Sequence, residues 1–533
     1  MKRKILAFFI GNHDSNICFY DGDKFSYVKT ERVTGVKHHG CDISFIRDWC
    51  TKNNFKPDLI AFTDGNRNNL GICDRNTLFQ KVEPIDKSCK IFGCETYCID
   101  HHYAHILSTW PVSEGCVKNA NIGITIDGCG DHRTSISVIE NPGNIHSAKI
   151  KNTMGRGNSI GSWFQSLGQI MGLRVRHPTD YAGKIMGAQS YGTVDEDFIK
   201  STNFSKGIAD PLSRQPKYGS LDLFEIVWRG RKLSRHDKEF FNFKNKDFRD
   251  WLATSHKIIE LYITDIVFKN NICNDDDIIL YSGGVAQNVL VNDKLYLKYK
   301  NIFIPTHCYD GGLSLGCMYV ASEICNQPLE LSKINKTMMY PYWQNDVLEE
   351  SPTDETIKHA AKMIASGKIV GWFQGRGEIG PRALGNRSIL MNPGIKDGKD
   401  IINRRVKHRE HWRPFAPSCL VDDCEKWFKM DKNSSSKYML RSVLVQEDKK
   451  DKIRSVVHND LTSRIQTVSE EDNPAFYKLL KEFKKLTGIP LLLNTSLNGG
   501  GDPIFANVEQ CENYVKISDI DVIIYGNRII KDE

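Results

Sequence analysis

Residues 4–30 read Lys4-Ile-Leu-Ala-Phe-Phe-Ile-Gly-Asn-His-Asp-Ser-Asn-Ile-Cys-Phe-Tyr-Asp-Gly-Asp-Lys-Phe-Ser-Tyr-Val-Lys-Thr30. Three short apolar or alternating runs, Lys4–Gly11, Asn16–Tyr20 and Phe25–Thr30, are broken by Gly-Asn-His-Asp and Asp-Gly-Asp, which are turn sequences. This predicts a β-meander that opens an α/β domain. The first apolar run is short and no small-residue cleavage site follows it, so a buried first strand is expected in preference to a secretory leader.

Outward from the meander, strands are predicted at Leu59–Thr63, Thr96–Asp100, Ile122–Asp127, Ile278–Ser282 and Asn301–Pro305. Leu252, Ser255, Ile259, Tyr262 and Ile266 recur at 3-4-3-4 spacing, the buried stripe of a helix over Phe248–Asn270. Strands followed by helices indicate a layered α/β domain over 1–330. Residues 331–352, with Pro341 and Pro352, read as a linker, and a second α/β unit is expected over 353–533. No period of 20–50 residues repeats, which excludes solenoids and propellers.

At 533 residues, 40% hydrophobic, 26% charged and with mean hydropathy −0.41, the chain has the composition of an ordinary globular protein. It lacks the ~20-residue apolar runs of a membrane bundle. Sixteen scattered cysteines without a Cys-x-x-Cys pair point to reduced thiols and a cytoplasmic location. The net charge of +7 permits anionic substrates.

Asp100-His-His-Tyr-Ala-His105 places His101 and His105 at i and i+4, on one face of a helix. Asp127 ends an apolar strand and Asp310 opens a strand-to-helix junction, both where an α/β sheet gathers ligands. Two imidazoles and two carboxylates suit Fe(II), Mn(II) or Zn(II) better than Mg(II). Ser282-Gly283-Gly284-Val-Ala-Gln-Asn288 follows a strand and opens a helix, where backbone N–H groups can meet phosphate. His13 in the first hairpin is a candidate base, and Lys37 in the Lys-His-His run a candidate cation; both equally fit solvated turns. In the second unit Arg382, Lys407, Arg413 and Arg464 sit among Gly, Pro and aromatic residues, with Asn494 and Ser496 at a polar strand end. That setting favours a phosphate pocket, which forked guanidiniums bind bidentately.

These motifs, with Gly183-Lys-Ile-Met-Gly187, Gly-Pro-Arg-Ala-Leu-Gly-Asn-Arg-Ser388, Arg413-Pro-Phe-Ala-Pro417 and Leu493-Asn-Thr-Ser496, run in order along the whole chain. Together they resemble the NodU/CmcH/TobZ O-carbamoyltransferases. The resemblance implies an actin-like nucleotide-binding domain joined to a YrdC-like α/β domain. It implies carbamoyl phosphate and ATP (with Mg2+) as co-substrates, a carbamoyl-adenylate made in the second domain, and transfer to an acceptor hydroxyl in the first, with AMP leaving. Carried residue by residue, it makes His101, His105, Asp127 and Asp310 ligands of a divalent metal, iron in the family. His13 and Lys37 serve transfer, and Arg382, Lys407, Arg413, Arg464, Asn494 and Ser496 serve carbamoyl phosphate and adenylation. Gly283, Gly284 and Asn288 are expected to bind substrate or ATP. The chain departs from the family at Gly187-Ala-Gln-Ser-Tyr-Gly192 and Gly501-Asp-Pro503. A threonylcarbamoyl-type tRNA enzyme, an actin-fold kinase and a non-catalytic nucleotide-binding scaffold are the competing classes.

For the acceptor, residues 201–250 carry eleven Lys/Arg against seven Asp/Glu. Arg229, Arg231, Lys232 and Arg235 interleave with Trp228, Phe240, Phe241, Phe243 and Phe248. The pattern fits either an insertion with a core of its own or a strand-binding surface, which would make a hydroxymethylated base in DNA the acceptor. Otherwise a sugar or natural-product hydroxyl is expected. A homodimer is the remaining partner to test.

Overall fold

The computed structural model describes all residues except 1, 66–71, 83–92, 114, 211–218, 336–338, 432–433 and 532–533. The chain forms two compact units, one of residues up to Thr30 with His38–Ile334, the other of Glu31–Lys37 with Asn335–Glu533. Cys89 and parts of the 201–250 window and the expected linker lie outside the described residues. The described part of that linker holds a helical turn, Leu331–Ile334, and a strand, Gln344–Val347.

In the first unit, β1 (Ile5–Ile10), β2 (Asn16–Tyr20) and β3 (Phe25–Lys29) form the expected antiparallel meander. β4 (Leu59–Asp64) lies parallel to β1, with β5 (Phe79–Lys81) and β6 (Glu95–Ile99) beyond it; β6 is parallel to β4. The order β3-β2-β1-β4-β6 then recurs. β7 (Ile122–Ile126), β8 (Thr134–Glu140) and β9 (Lys149–Gly155) are a second antiparallel meander. An insertion follows, containing the ribbon β10 (Val227–Trp228) and β11 (Arg231–Lys232). The sheet closes with β12 (Ile279–Ser282) parallel to β7 and β13 (Ile302–Phe303) parallel to β12. Its order, β9-β8-β7-β12-β13, repeats the first with the same strand senses. This duplicated α/β sheet is the actin-like fold.

β1 is buried along its whole length, as a strand covered on both faces must be. Helices His101–Leu107 and Leu313–Ile324 pack on each other so closely that a Cβ on Gly316 would collide with the Ala104 carbonyl. Asp100 caps the first of these helices, its carboxylate accepting from Tyr103 N at 2.9 Å. That contact sets where the histidine-bearing turn begins.

The second unit is a mixed sheet between helices. In chain order its strands are β14 (Gln344–Val347), β15 (Val370–Phe373), β16 (Arg376–Gly377), β17 (Arg387–Met391), β18 (Ala416–Leu420), β19 (Arg441–Leu444), β20 (Thr462–Val468), β21 (Leu491–Ser496), β22 (Val522–Tyr525) and β23 (Arg528–Ile530). The sheet runs β19-β20-β18-β21-β17-β15-β22-β23, while β14 pairs with β16. Val370, Trp372, Leu492 and Ile524 on one face meet helices Asp354–Ala365 and Pro474–Thr487. The alternate residues Phe373, Leu491, Leu493 and Ile523 meet helices Gly398–Arg405 and Val508–Ile517. Period-two alternation thus feeds both cores. Among the described residues, no helix is long and apolar enough to cross a membrane.

Of the two readings of the window 201–250, an insertion with a core of its own or a strand-binding surface, its described residues favour the first. Trp228, Phe240, Phe241 and Phe248 are buried, and the last three pack with Trp251 and with one another at ring separations of 5.1–6.2 Å. Arg229 meets Asp247 and Asp250 at 3.0 Å, Arg231 meets Asp237 at 2.6 Å, and Arg235 meets Glu225 at 3.2 Å. Rings in a core cannot stack bases, and these arginines already face carboxylates. The described part of the window therefore gives no support to a DNA acceptor or a nucleic-acid partner.

Candidate metal centre and anion pocket

The i, i+4 spacing on helix His101–Leu107 brings the His101 and His105 rings to 4.9 Å. Asp127, just after β7, and Asp310, before helix Leu313–Ile324, reach the same point from the second meander and from after β13. One ligand atom from each of the four lies within 4.8 Å of the others. Nε2 of His101 stands 3.6 and 3.7 Å from Asp127 Oδ2 and Asp310 Oδ1, and Nε2 of His105 stands 3.9 and 3.4 Å from the same atoms. These gaps are too long for hydrogen bonds, and both buried Nε2 atoms lack a hydrogen-bond partner among the described residues. Buried imidazole nitrogens left bare beside two carboxylates are what a cation between them would satisfy. The residues therefore fit a divalent transition metal. The side chains of Asp127 and Asp310 keep 12% and 13% exposure, which leaves one side open to a substrate.

Gly284 N donates to Asp127 Oδ1 at 2.7 Å, leaving Oδ2 for the centre. Burial would raise the Asp127 pKa, but His101 and His105 hold it well below the carboxylate range. His102, the middle histidine of the motif, turns away to Ser137 Oγ at 2.7 Å. Gly283, at φ +99, backs onto the Ile126 carbonyl, where only glycine fits. Asn288 spends its side chain inside the fold: Oδ1 caps helix Val289–Lys298 and Nδ2 meets His256 at 3.0 Å.

His13 lies beside this centre, its Nδ1 at 3.1 Å from Asp14 Oδ2 and 3.6 Å from Asp310 Oδ2. Asp14 is buried and also meets Lys29 Nζ at 2.7 Å and His38 Nδ1 at 3.0 Å. Burial would raise its pKa, yet Lys29, His13 and His38 together hold it far below normal. His177 stacks near both imidazoles, 5.2 Å from His13 and 5.0 Å from His38. Burial and those two neighbours push its pKa down to about 4. Asp14, Lys29, His38 and His177 are missed by motif reading, although Asp14 adjoins His13 and His38 adjoins Lys37. Lys37, expected beside His13, belongs to the segment grouped with the second unit, where its charge bears on Lys407.

In the second unit, Arg464 on β20 and Ser496 on β21 approach the run Lys407–Arg413, while Asn494 on β21 bonds elsewhere. Lys407 is buried and its Nζ donates to Asn498 Oδ1 at 2.7 Å, to Asn498 O at 3.0 Å and to Ser496 O. Asn494 Nδ2 donates to Ser418 Oγ at 2.9 Å and Ala383 O at 3.1 Å. Arg464 and Arg409 have pKa values pulled well below normal, first by burial and then by neighbouring guanidiniums, Arg413 and Arg382 among them. Lys407 is lowered by burial and then by Arg409, Arg413 and Lys37. A buried lysine and half-buried arginines whose charged neighbours are mostly other cations could hold an anion. Arg409, 4.5 Å over the Phe415 ring, was not singled out by sequence because it is one cation within a run of cations.

The first unit thus carries a duplicated actin-like sheet with a two-His, two-Asp centre, and the second a cluster of cations around the buried Lys407. Comparison with known families gives the class. Residues 48–318 match the family described as Carbamoyltransferase N-terminus, and residues 361–532 match Carbamoyltransferase C-terminus. The chain belongs to the carbamoyltransferase family. It is 29% identical to nodulation protein NolNO of Sinorhizobium fredii over 96% of this chain and 78% of that one. It is 30% identical to the uncharacterized protein MJ1051 of Methanocaldococcus jannaschii over 90% of each. Nodulation protein U of Rhizobium tropici is 31% identical over 61% of this chain and 57% of its own. Component A of (R)-2-hydroxyglutaryl-CoA dehydratase from Acidaminococcus fermentans superposes at TM-score 0.33 and 15% identity, covering 61% of this chain and 100% of its own. That superposition is too distant to add to the strand topology.

Proposed function

We propose that the chain is an ATP-dependent O-carbamoyltransferase whose acceptor is the hydroxyl of a sugar or other small molecule. The observation that carries this reading is the occurrence of two separate sites, one in each unit. The cluster of Arg382, Lys407, Arg409, Arg413 and Arg464 is more positive than a single phosphate requires, and suits two phosphorylated substrates. In a YrdC-like role it would hold carbamoyl phosphate and ATP together. Carbamoyl phosphate loses its phosphoryl group to water, giving carbamate and phosphate. A carbamate oxygen attacks the α-phosphorus of ATP and pyrophosphate leaves. Fixed guanidiniums stabilise the charge that develops on the phosphates, without reorganisation.

In the first unit, His13 accepts the proton of the acceptor hydroxyl as its oxygen attacks the carbamoyl carbon, and AMP departs. His101, His105, Asp127 and Asp310 would hold the metal, which supplies Lewis-acid stabilisation of the adenylate's phosphate.

The products distinguish the competing classes. The proposed reaction releases AMP, pyrophosphate and phosphate from ATP and carbamoyl phosphate. A kinase releases ADP, a scaffold releases nothing, and a threonylcarbamoyl enzyme requires threonine and tRNA. ADP as the nucleotide product would overturn the proposal.

A further inference from the structure

His38 lies between two carboxylates. Nδ1 is 3.0 and 3.1 Å from the two oxygens of Asp14, and Nε2 is 3.3 Å from Asp180 Oδ1 at the start of helix Asp180–Ala188. A neutral imidazole has one N–H and one lone pair, so it cannot donate to an acceptor on each side. The imidazolium can. Lys29, through the carboxylate they share, and His177 also face the ring. Burial disfavours the charge on His38, but the two carboxylates outweigh burial and raise its pKa above the ordinary histidine value.

Asp14 is therefore held on one side by two cations, Lys29 and His38, and presents its remaining bond to His13 Nδ1 at 3.1 Å. A carboxylate bound to Nδ1 requires the proton there and leaves Nε2 as the basic nitrogen, the arrangement that orients a general base. We propose that His38 is a positioning residue of the transfer site: an imidazolium clamped between Asp14 and Asp180 that fixes Asp14 and, through it, the tautomer and direction of His13. The cation that the Lys-His-His run gives this unit is then His38. The proposal rests on His13 acting as the base.

The test uses the full-length, metal-loaded protein with ATP, carbamoyl phosphate and water as acceptor, following AMP release, with ATP–pyrophosphate exchange as the measure of the second unit. His13→Ala should lower AMP release by ~10²–10⁴-fold. His38→Gln should lower it by roughly 10–100-fold, a usual cost of removing a partner that orients a reacting imidazole. Exchange should persist in both. The double variant should be no slower than His13→Ala alone, because His38 acts through His13. Losses that multiply in the double variant, or a wild-type rate for His38→Gln beside an impaired His13→Ala, overturn the positioning role. A wild-type rate for His13→Ala instead overturns the base itself, and His38's role with it. A second measurement needs no turnover. In 15N-histidine spectra recorded across a pH titration, the ring signal that His38→Gln removes should keep protons on both nitrogens to higher pH than a free imidazole does, and Asp180→Asn should shift that transition down. A His38 ring that loses its second proton at or below the pH of a free imidazole refutes the clamped imidazolium.

Discussion

The amide of Gly284 holds one oxygen of Asp127 at 2.7 Å and so aims the other at the two bare imidazole nitrogens. A Cβ on Gly284 would stand 2.7 Å from that same Asp127 oxygen. Gly284→Ala should therefore push the carboxylate out of line and weaken divalent-metal affinity by roughly 10–100-fold. Metal titration of the purified variant reads this directly, and wild-type affinity would show that the amide contact does not orient the ligand.

His101→Ala and Asp310→Ala should abolish carbamoyl transfer and lower metal content by elemental analysis. Both should leave ATP–pyrophosphate exchange in place, because the cationic pocket is built entirely within the second unit. Exchange that collapses along with transfer would show that the two half-reactions do not divide between the units.

The polycationic pocket repels itself when no anion is bound. Arg464→Met, which removes one half-buried guanidinium of the cluster, should raise the melting temperature of the ligand-free protein. It should also erase the stabilisation that carbamoyl phosphate gives the wild type, about 2.7 kcal/mol at a hundred times Kd. In kinetics, Arg413→Ala should raise the carbamoyl phosphate requirement by about 10–150-fold, the loss expected for one charge-assisted contact of ~1.5–3 kcal/mol. Unchanged thermal and kinetic behaviour would make the cluster a structural one.

His458, bonded through Nδ1 to Thr462 at 3.2 Å, is pushed down to about 4, mainly by burial, with Arg464 adding to the effect. The unfolded chain protonates this ring near 6.5, before the folded chain does. Its contribution is thus complete above pH 6.5 and is lost as pH falls from 6.5 towards 4. At about 1.4 kcal/mol per unit it amounts to about 3 kcal/mol. Denaturant titrations at several pH values should show wild-type stability falling over that window more steeply than His458→Asn. Parallel curves would mean that the ring is already charged in the folded protein.

Phe240→Ala should cost ~3–5 kcal/mol of stability, as a buried aromatic does. Its transfer activity per folded molecule should match wild type. Salt-dependent binding to single-stranded DNA that this substitution removes would restore the nucleic-acid reading.

What could be read in the sequence was what spacing or alternation encodes. The meander over residues 4–30 is written in its turns, and His101 with His105 in the helical period; Asp127 and Asp310 stand at strand ends, where sheets gather ligands. The contacts around Asp14 carry no such signature: Lys29, His38 and Asp180 come from three elements, and only the folded sheet brings them together. Composition likewise could not say which way the rings of 201–250 point, because a core and a binding surface use the same aromatics. The duplication of the sheet is invisible to sequence because strand order, not residue identity, is what repeats.

That duplication has a consequence for how the protein matures. His101 follows the last long strand of the first repeat and Asp310 follows the last strand of the second, so the two ends of the metal centre lie 209 positions apart in the chain. Contacts between such distant positions form after local ones. On the ribosome the first repeat emerges with two imidazoles and no carboxylate partner, and the centre cannot close until the second repeat has been synthesised and folded beside it. Metal acquisition should therefore be a late, post-translational event, and a chain truncated anywhere before Asp310 should fail to retain the ion however well its first sheet has folded.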